Sequence, residues 1–95
     1  MSAVDVRVVW SDEKMPHLPT GTNYTTVAKF PEDSERWPME AWSVVIEFAP
    51  GSAMNSSFEA KARFLMPDAP VSRFATGRTF DLYEGNIRTA TVTVL

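Results

Sequence analysis

The sequence contains no cysteine, which removes disulfides, thiolate metal sites and cysteine nucleophiles together. A cytoplasmic address is the one that fits that absence best. It has one histidine, His17, so no histidine pair is available for metal or acid–base work. No apolar run reaches the length of a membrane span, and the first fifteen residues interleave charges with their apolar positions, unlike a secretory leader. There is little excess charge. The formal balance is −3, with eight acidic and four basic residues in 1–50 against four and five in 51–95. Non-specific attraction to phosphate backbones is not expected of such a chain. Helical periodicity is missing as well: the best candidate, Glu32 to Met39, is held to about one turn by Pro31 and Pro38.

What remains is period-two alternation. Six strands are expected: Val4–Trp10, Tyr24–Phe30, Trp42–Phe48, Ser57–Met66, Arg78–Tyr83 and Ile87–Leu95. In the first, Val4, Val6, Val8 and Trp10 share one face against Asp5 and Arg7. In the fourth, Phe58, Ala60, Ala62, Phe64 and Met66 oppose Glu59, Lys61 and Arg63. Prolines and glycines punctuate the intervals, as at Pro19-Thr20-Gly21, Pro50-Gly51 and Pro67-Asp68-Ala69-Pro70. The 95 residues make one domain, 1–95, with no internal repeat.

Short strands with little helix mean a sandwich or a closed barrel. Small Ala60 and Ala62 between large Phe58, Phe64 and Met66 fit the taper of a narrow barrel. Closure also removes the edges that a small open sheet would have to protect. The fold class expected is therefore all-β, a six-stranded antiparallel closed β-barrel. The last hairpin sets its own register. If Phe80 and Leu82 point inward with Ala90, Val92 and Val94, paired residues share parity and the loop is odd. A three-residue loop containing Gly85 and Asn86 is expected, since a two-residue turn would set Phe80 opposite Thr91. Thr89, Thr91 and Thr93 then form an outward ladder.

Several blocks resemble a known pattern: Val6-Arg7-Val8-Val9-Trp10, Gly21-Thr22-Asn23-Tyr24, Trp42 to Phe48, Ala62-Arg63-Phe64-Leu65-Met66-Pro67, and Gly77 to Gly85. Their order and spacing are similar to the C-terminal barrel, the third domain, of elongation factor Tu, and to small stand-alone bacterial proteins built on it. The resemblance implies Greek-key-like connections and offers, by analogy, an RNA- or ribosome-associated role. It departs from the factor in the Ser11–Pro19 loop, which lacks a Gly-Gly-Arg-like segment, and in the final strand, where Ala90 and Val92 replace paired small residues. No Gly-x-x-x-x-Gly-Lys-Ser/Thr loop occurs, so GTP chemistry is not implied.

The chemistry-bearing residues are scattered. His17 lies in a loop with Ser11, Asp12 and Glu13, without a recognisable ligand or triad spacing. Glu32, Asp33, Glu35 and Glu40 form the densest acidic stretch and read as a solvated connection. Arg63, Arg73, Arg78 and Arg88 lack interleaved aromatics for stacking bases and read as cross-strand charge partners. The segment Arg36-Trp37-Pro38-Met39 is different. Trp37 is off the strand period beside an Arg and a Met, residue types enriched at protein interfaces. It either closes one end of the barrel or anchors a partner. The expectation is a non-enzymatic, cofactor-free and metal-free module that binds another protein through Arg36, Trp37 and Met39, with His17 and Tyr24 on a second loop. It would be a monomer or a weak homo-oligomer.

Overall fold

A computed structural model describes residues 3–33, 37–39 and 41–95. Six strands form where alternation placed them: β1 (Val4–Trp10), β2 (Asn23–Lys29), β3 (Trp42–Glu47), β4 (Ser57–Phe64), β5 (Thr79–Glu84) and β6 (Ile87–Val94). All neighbours are antiparallel, and the sheet closes in the order β1-β4-β3-β2-β5-β6. β2, β3 and β4 follow one another as hairpins, and β1 returns to lie beside β4, which is a Greek-key connection. The remaining described elements are short 3-10 turns. One of them, Pro31–Asp33, opens the proline-bounded segment, where Trp37 N–H donates to the Asp33 carbonyl at 2.9 Å and residues 37–39 form a further turn.

The inward parity fills the barrel. Val6, Val8, Val44, Ile46, Leu82 and Val92 are fully buried along its middle. Ala28, Ala62 and Ala90 leave room for them. One end is packed by Trp10, Phe48, Phe58 and half-buried Tyr24, with Trp10 donating its indole N–H to the Ala53 carbonyl at 2.9 Å. The other end is an aromatic stack of Phe30, Phe64, Phe74 and Phe80. Its closest pair, Phe64 and Phe74, has ring centroids 4.2 Å apart and planes 6° from parallel. Phe74 comes from a 3-10 turn between β4 and β5 rather than from a strand. On the outer wall, Lys61–Asp5 (2.6 Å), Arg7–Glu59 (3.0 Å) and Arg63–Glu47 (3.4 Å) link β1, β4 and β3. These pairs are solvent-exposed and contribute little stability each.

Two expectations need correction. β4 ends at Phe64, so Met66 does not join the inward face and is 51 % exposed. The last hairpin has a two-residue Gly85-Asn86 turn, not a three-residue loop. Gly85 adopts φ 63° and Asn86 has no positive φ, the pattern of a turn needing glycine first. Equal parity is still kept along the hairpin body, where Phe80 faces Val92 and Leu82 faces Ala90. The extra residue sits instead in a β-bulge: Tyr83 pairs with Arg88, and Thr89 is left between. Thr89 therefore leaves the outward ladder. It is 2 % exposed and gives its hydroxyl to the Leu82 carbonyl at 3.3 Å.

Candidate functional site

The bulge lies near the tip of the β5–β6 hairpin, where the pairing of β5 with β2 stops at Tyr83. β2 pairs with β3 from Asn23 to Ala28 but with β5 only from Val27 to Lys29. Beyond Val27, side chains bridge the seam in place of main chain. Thr26 donates its hydroxyl to the Tyr83 carbonyl, and the Tyr24 phenol donates to Glu84 Oε2 at 2.5 Å while lying 2.9 Å from Thr89 Oγ1. Lys14 reaches the same Glu84 oxygen at 2.6 Å and stands 4.9 Å from the centre of the Tyr24 ring. Its hydrogen bond to Lys14, then that to Tyr24, hold the Glu84 carboxyl below its ordinary range. Burial, followed by the bond to Glu84, pushes the Tyr24 phenol well above its ordinary value.

Outside this seam lies a groove of about 580 Å³ lined by Val27, Trp37, Pro38, Met39, Ala41, Gly85 and Asn86. Trp37 forms one wall. Its indole N–H donates to the Ala28 carbonyl at 3.1 Å, and its ring packs 4.5 Å from that of Tyr83. Tyr83 has outward parity on β5, so Trp37 rests on the outer wall and does not cap a barrel end. Lys29 Nζ lies 5.3 Å from the Trp37 ring centre and 5.9 Å from that of Tyr83, within range of an attraction to both π-faces. Met39 is 92 % exposed, with its thioether chain in water. Among the described residues, the lining is not ionisable and is apolar apart from Asn86.

Of the residues singled out in the sequence, Trp37 and Met39 come together here, while Arg36 lies outside the described residues. Tyr24 and His17 do not join them. Tyr24 faces the barrel seam, and His17 is exposed in the 3-10 turn Met15–His17. Val27, Ala41 and Tyr83 were not singled out, although Tyr83 carried a signal, being a large aromatic on the wet parity of its strand. The acidic stretch also needs correction. Asp33 is 8 % exposed, not solvated: Oδ2 accepts the Phe30 N–H at 3.0 Å and Oδ1 accepts Arg73 Nη1 at 2.9 Å. Glu32 pairs with both Arg73 and Arg78, and its hydrogen bond from Arg78 lowers its carboxyl below the ordinary range. Glu35 and Glu40 lie outside the described residues. Among the described residues, no group of three His, Asp or Glu side chains is placed to hold a metal ion, and no helix is long and apolar enough to cross a membrane. No protein-family model matches the chain, and no curated protein sequence matches it.

Proposed function

We propose that this barrel is a non-enzymatic binding module whose partner is another protein, engaged at the Trp37–Met39 groove. The observation that carries the reading is a large apolar side chain left almost wholly in water beside a half-buried tryptophan, on the wall of a groove whose described lining residues carry no charge. Trp and Met at the centre of a patch with charges at its edge match the composition of interface cores. The alternative by analogy with elongation factor Tu, an RNA- or ribosome-associated role, draws less support. Arg7, Lys14, Lys61, Arg63, Arg73 and Arg78 are each within ion-pair distance of a carboxylate, so among the described residues at least six of the chain's nine cationic side chains have a carboxylate beside them.

The test is affinity capture with tagged chain from its native cytoplasm, repeated with Trp37→Ala and with Met39→Asp. Met39 is so exposed that the second change leaves the fold intact. Loss of the same specific protein from both variants supports the reading. An unchanged set of captured proteins with both variants moves the contact surface elsewhere.

A further inference from the structure

The seam beside the groove has a property that a closed barrel should not have. Thr22 accepts a hydrogen bond from Phe48 N, which makes even-numbered main-chain groups of β2 face β3 and odd-numbered ones face β5. Val27 and Lys29 use theirs against Tyr83 and Asp81. Thr25 comes next and, on the same register, stands opposite Gly85. No main-chain hydrogen bond joins Thr25 to the Gly85-Asn86 turn, and Thr25 is exposed. Among the described residues, the Thr25 peptide N–H and C=O thus point out of an ordered strand with no strand to meet them. At this seam the contacts between β2 and the hairpin tip come from the side chains of Tyr24 and Thr26, which reach Glu84 and the Tyr83 carbonyl.

We propose that Asn23–Thr25 of β2 receives an extended segment of a partner protein as an added strand, with one apolar side chain of that segment seated in the groove. The proposal rests on the protein-binding reading and names the partner's chemistry. Main-chain groups of an extended peptide are what satisfy Thr25, and alternate side chains of such a peptide point to one face. Val27, two residues along β2 on the same outward face, and the Gly85-Asn86 turn both line the groove, so the anchor position follows from the pairing. Beside the groove, Lys29 Nζ lies over the Trp37 and Tyr83 rings, and Arg88 stands opposite Tyr83 in the register. The described lining residues are uncharged. An apolar residue flanked by a carboxylate therefore complements the site, and a basic segment does not.

Two measurements on the full chain test this. In amide hydrogen exchange by NMR, the Thr25 amide is expected to exchange roughly 100-fold faster than those of Tyr24, Thr26 and Val27; equal protection would show the edge closed and overturn the proposal. In a selection from a displayed library of random peptides, the enriched sequences are expected to carry an apolar residue beside an acidic one. They should lose roughly tenfold in affinity or more on N-methylation of alternate peptide amides, and again on Thr25→Pro. Proline removes an N–H that the fold does not use, at a position where an edge strand tolerates it, and the N-methyl series needs no variant at all. Peptides lost with Trp37→Ala but indifferent to N-methylation and to Thr25→Pro would refute strand addition while leaving protein binding in place. Failure to enrich any peptide, or a stable dimer of the chain formed through this edge, would overturn it outright.

Discussion

Replacing Asp33 with alanine is expected to destabilise the barrel by about 2–3 kcal/mol. The carboxylate performs two tasks from a nearly dry position: it accepts the main-chain N–H of Phe30, itself 1 % exposed, and it pairs with Arg73. Alanine leaves that N–H buried without a partner, a penalty of about 1–3 kcal/mol. The ion pair adds about 1 kcal/mol or less, since Arg73 is partly solvated. Arg73 also lies 5.3 Å from the centre of the Phe30 ring, so its loosening unsettles the aromatic stack. In a domain of this size each kcal/mol moves the midpoint by about 4–8 °C, giving a fall of roughly 10–20 °C. Asp33→Asn separates the two effects, because its amide oxygen still accepts from Phe30 while the charge is gone; its expected loss is about 1 kcal/mol. Urea titrations of the three proteins with a common m-value supply the numbers. An alanine variant within about 0.5 kcal/mol of the parent would refute the reasoning, and an asparagine variant as damaged as the alanine one would shift the credit from hydrogen bond to charge.

Thr89→Val removes the buried hydroxyl that meets Leu82 O and Tyr24 Oη, and an expected loss of about 1–2 kcal/mol is readable by the same titration. Glu84 binds its proton more weakly when folded than when unfolded, so the unfolded state holds more protons as pH falls below the ordinary carboxylate value of 4.5. Its contribution is therefore present above that value and lost beneath it, and Glu84→Gln is expected to flatten the acid limb of a plot of urea midpoint against pH. In a Tyr83→Phe background the remaining phenol, Tyr24, is expected to show no tyrosinate absorbance at about pH 11, where an ordinary tyrosine is mostly ionised. Gly85→Ala forces a side chain onto φ 63° and is expected to cost about 1–2 kcal/mol by thermal melting.

The strands were legible because each carries its own evidence: Val4, Val6, Val8 and Trp10 state which side is dry without reference to anything else. What escaped depends on partners remote in the chain. In Ile87-Arg88-Thr89-Ala90-Thr91 the alternation slips at the two polar residues Arg88-Thr89, but that slip alone does not separate a bulge from a longer loop. The bulge is held from elsewhere, by Ser11, whose N–H meets the Thr89 carbonyl and whose hydroxyl meets that of Arg88, and by the Tyr24 phenol. Phe74 sits among Val71, Ser72 and Arg73 with no period to mark it as core. Asp33 looked solvated because its neighbours in sequence are charged, whereas its neighbours in space are Phe30 and Arg73. Trp37 stood out as an off-period aromatic. Its place on the outer wall was set by Tyr83 and the Ala28 carbonyl, which no local reading brings near it.

β1 is the keystone of the cylinder in a kinetic sense. The β2–β3–β4 meander and the β5–β6 hairpin assemble from segments adjacent in the chain, but β1 lodges between β4 and β6, pairing Val6 with both Ala60 and Val94. Such distant pairings repay their loop-closure entropy late. Until β1 arrives, two raw margins stand open to any passing strand, so the hazard of misassembly is concentrated in the interval before that last slat drops into place.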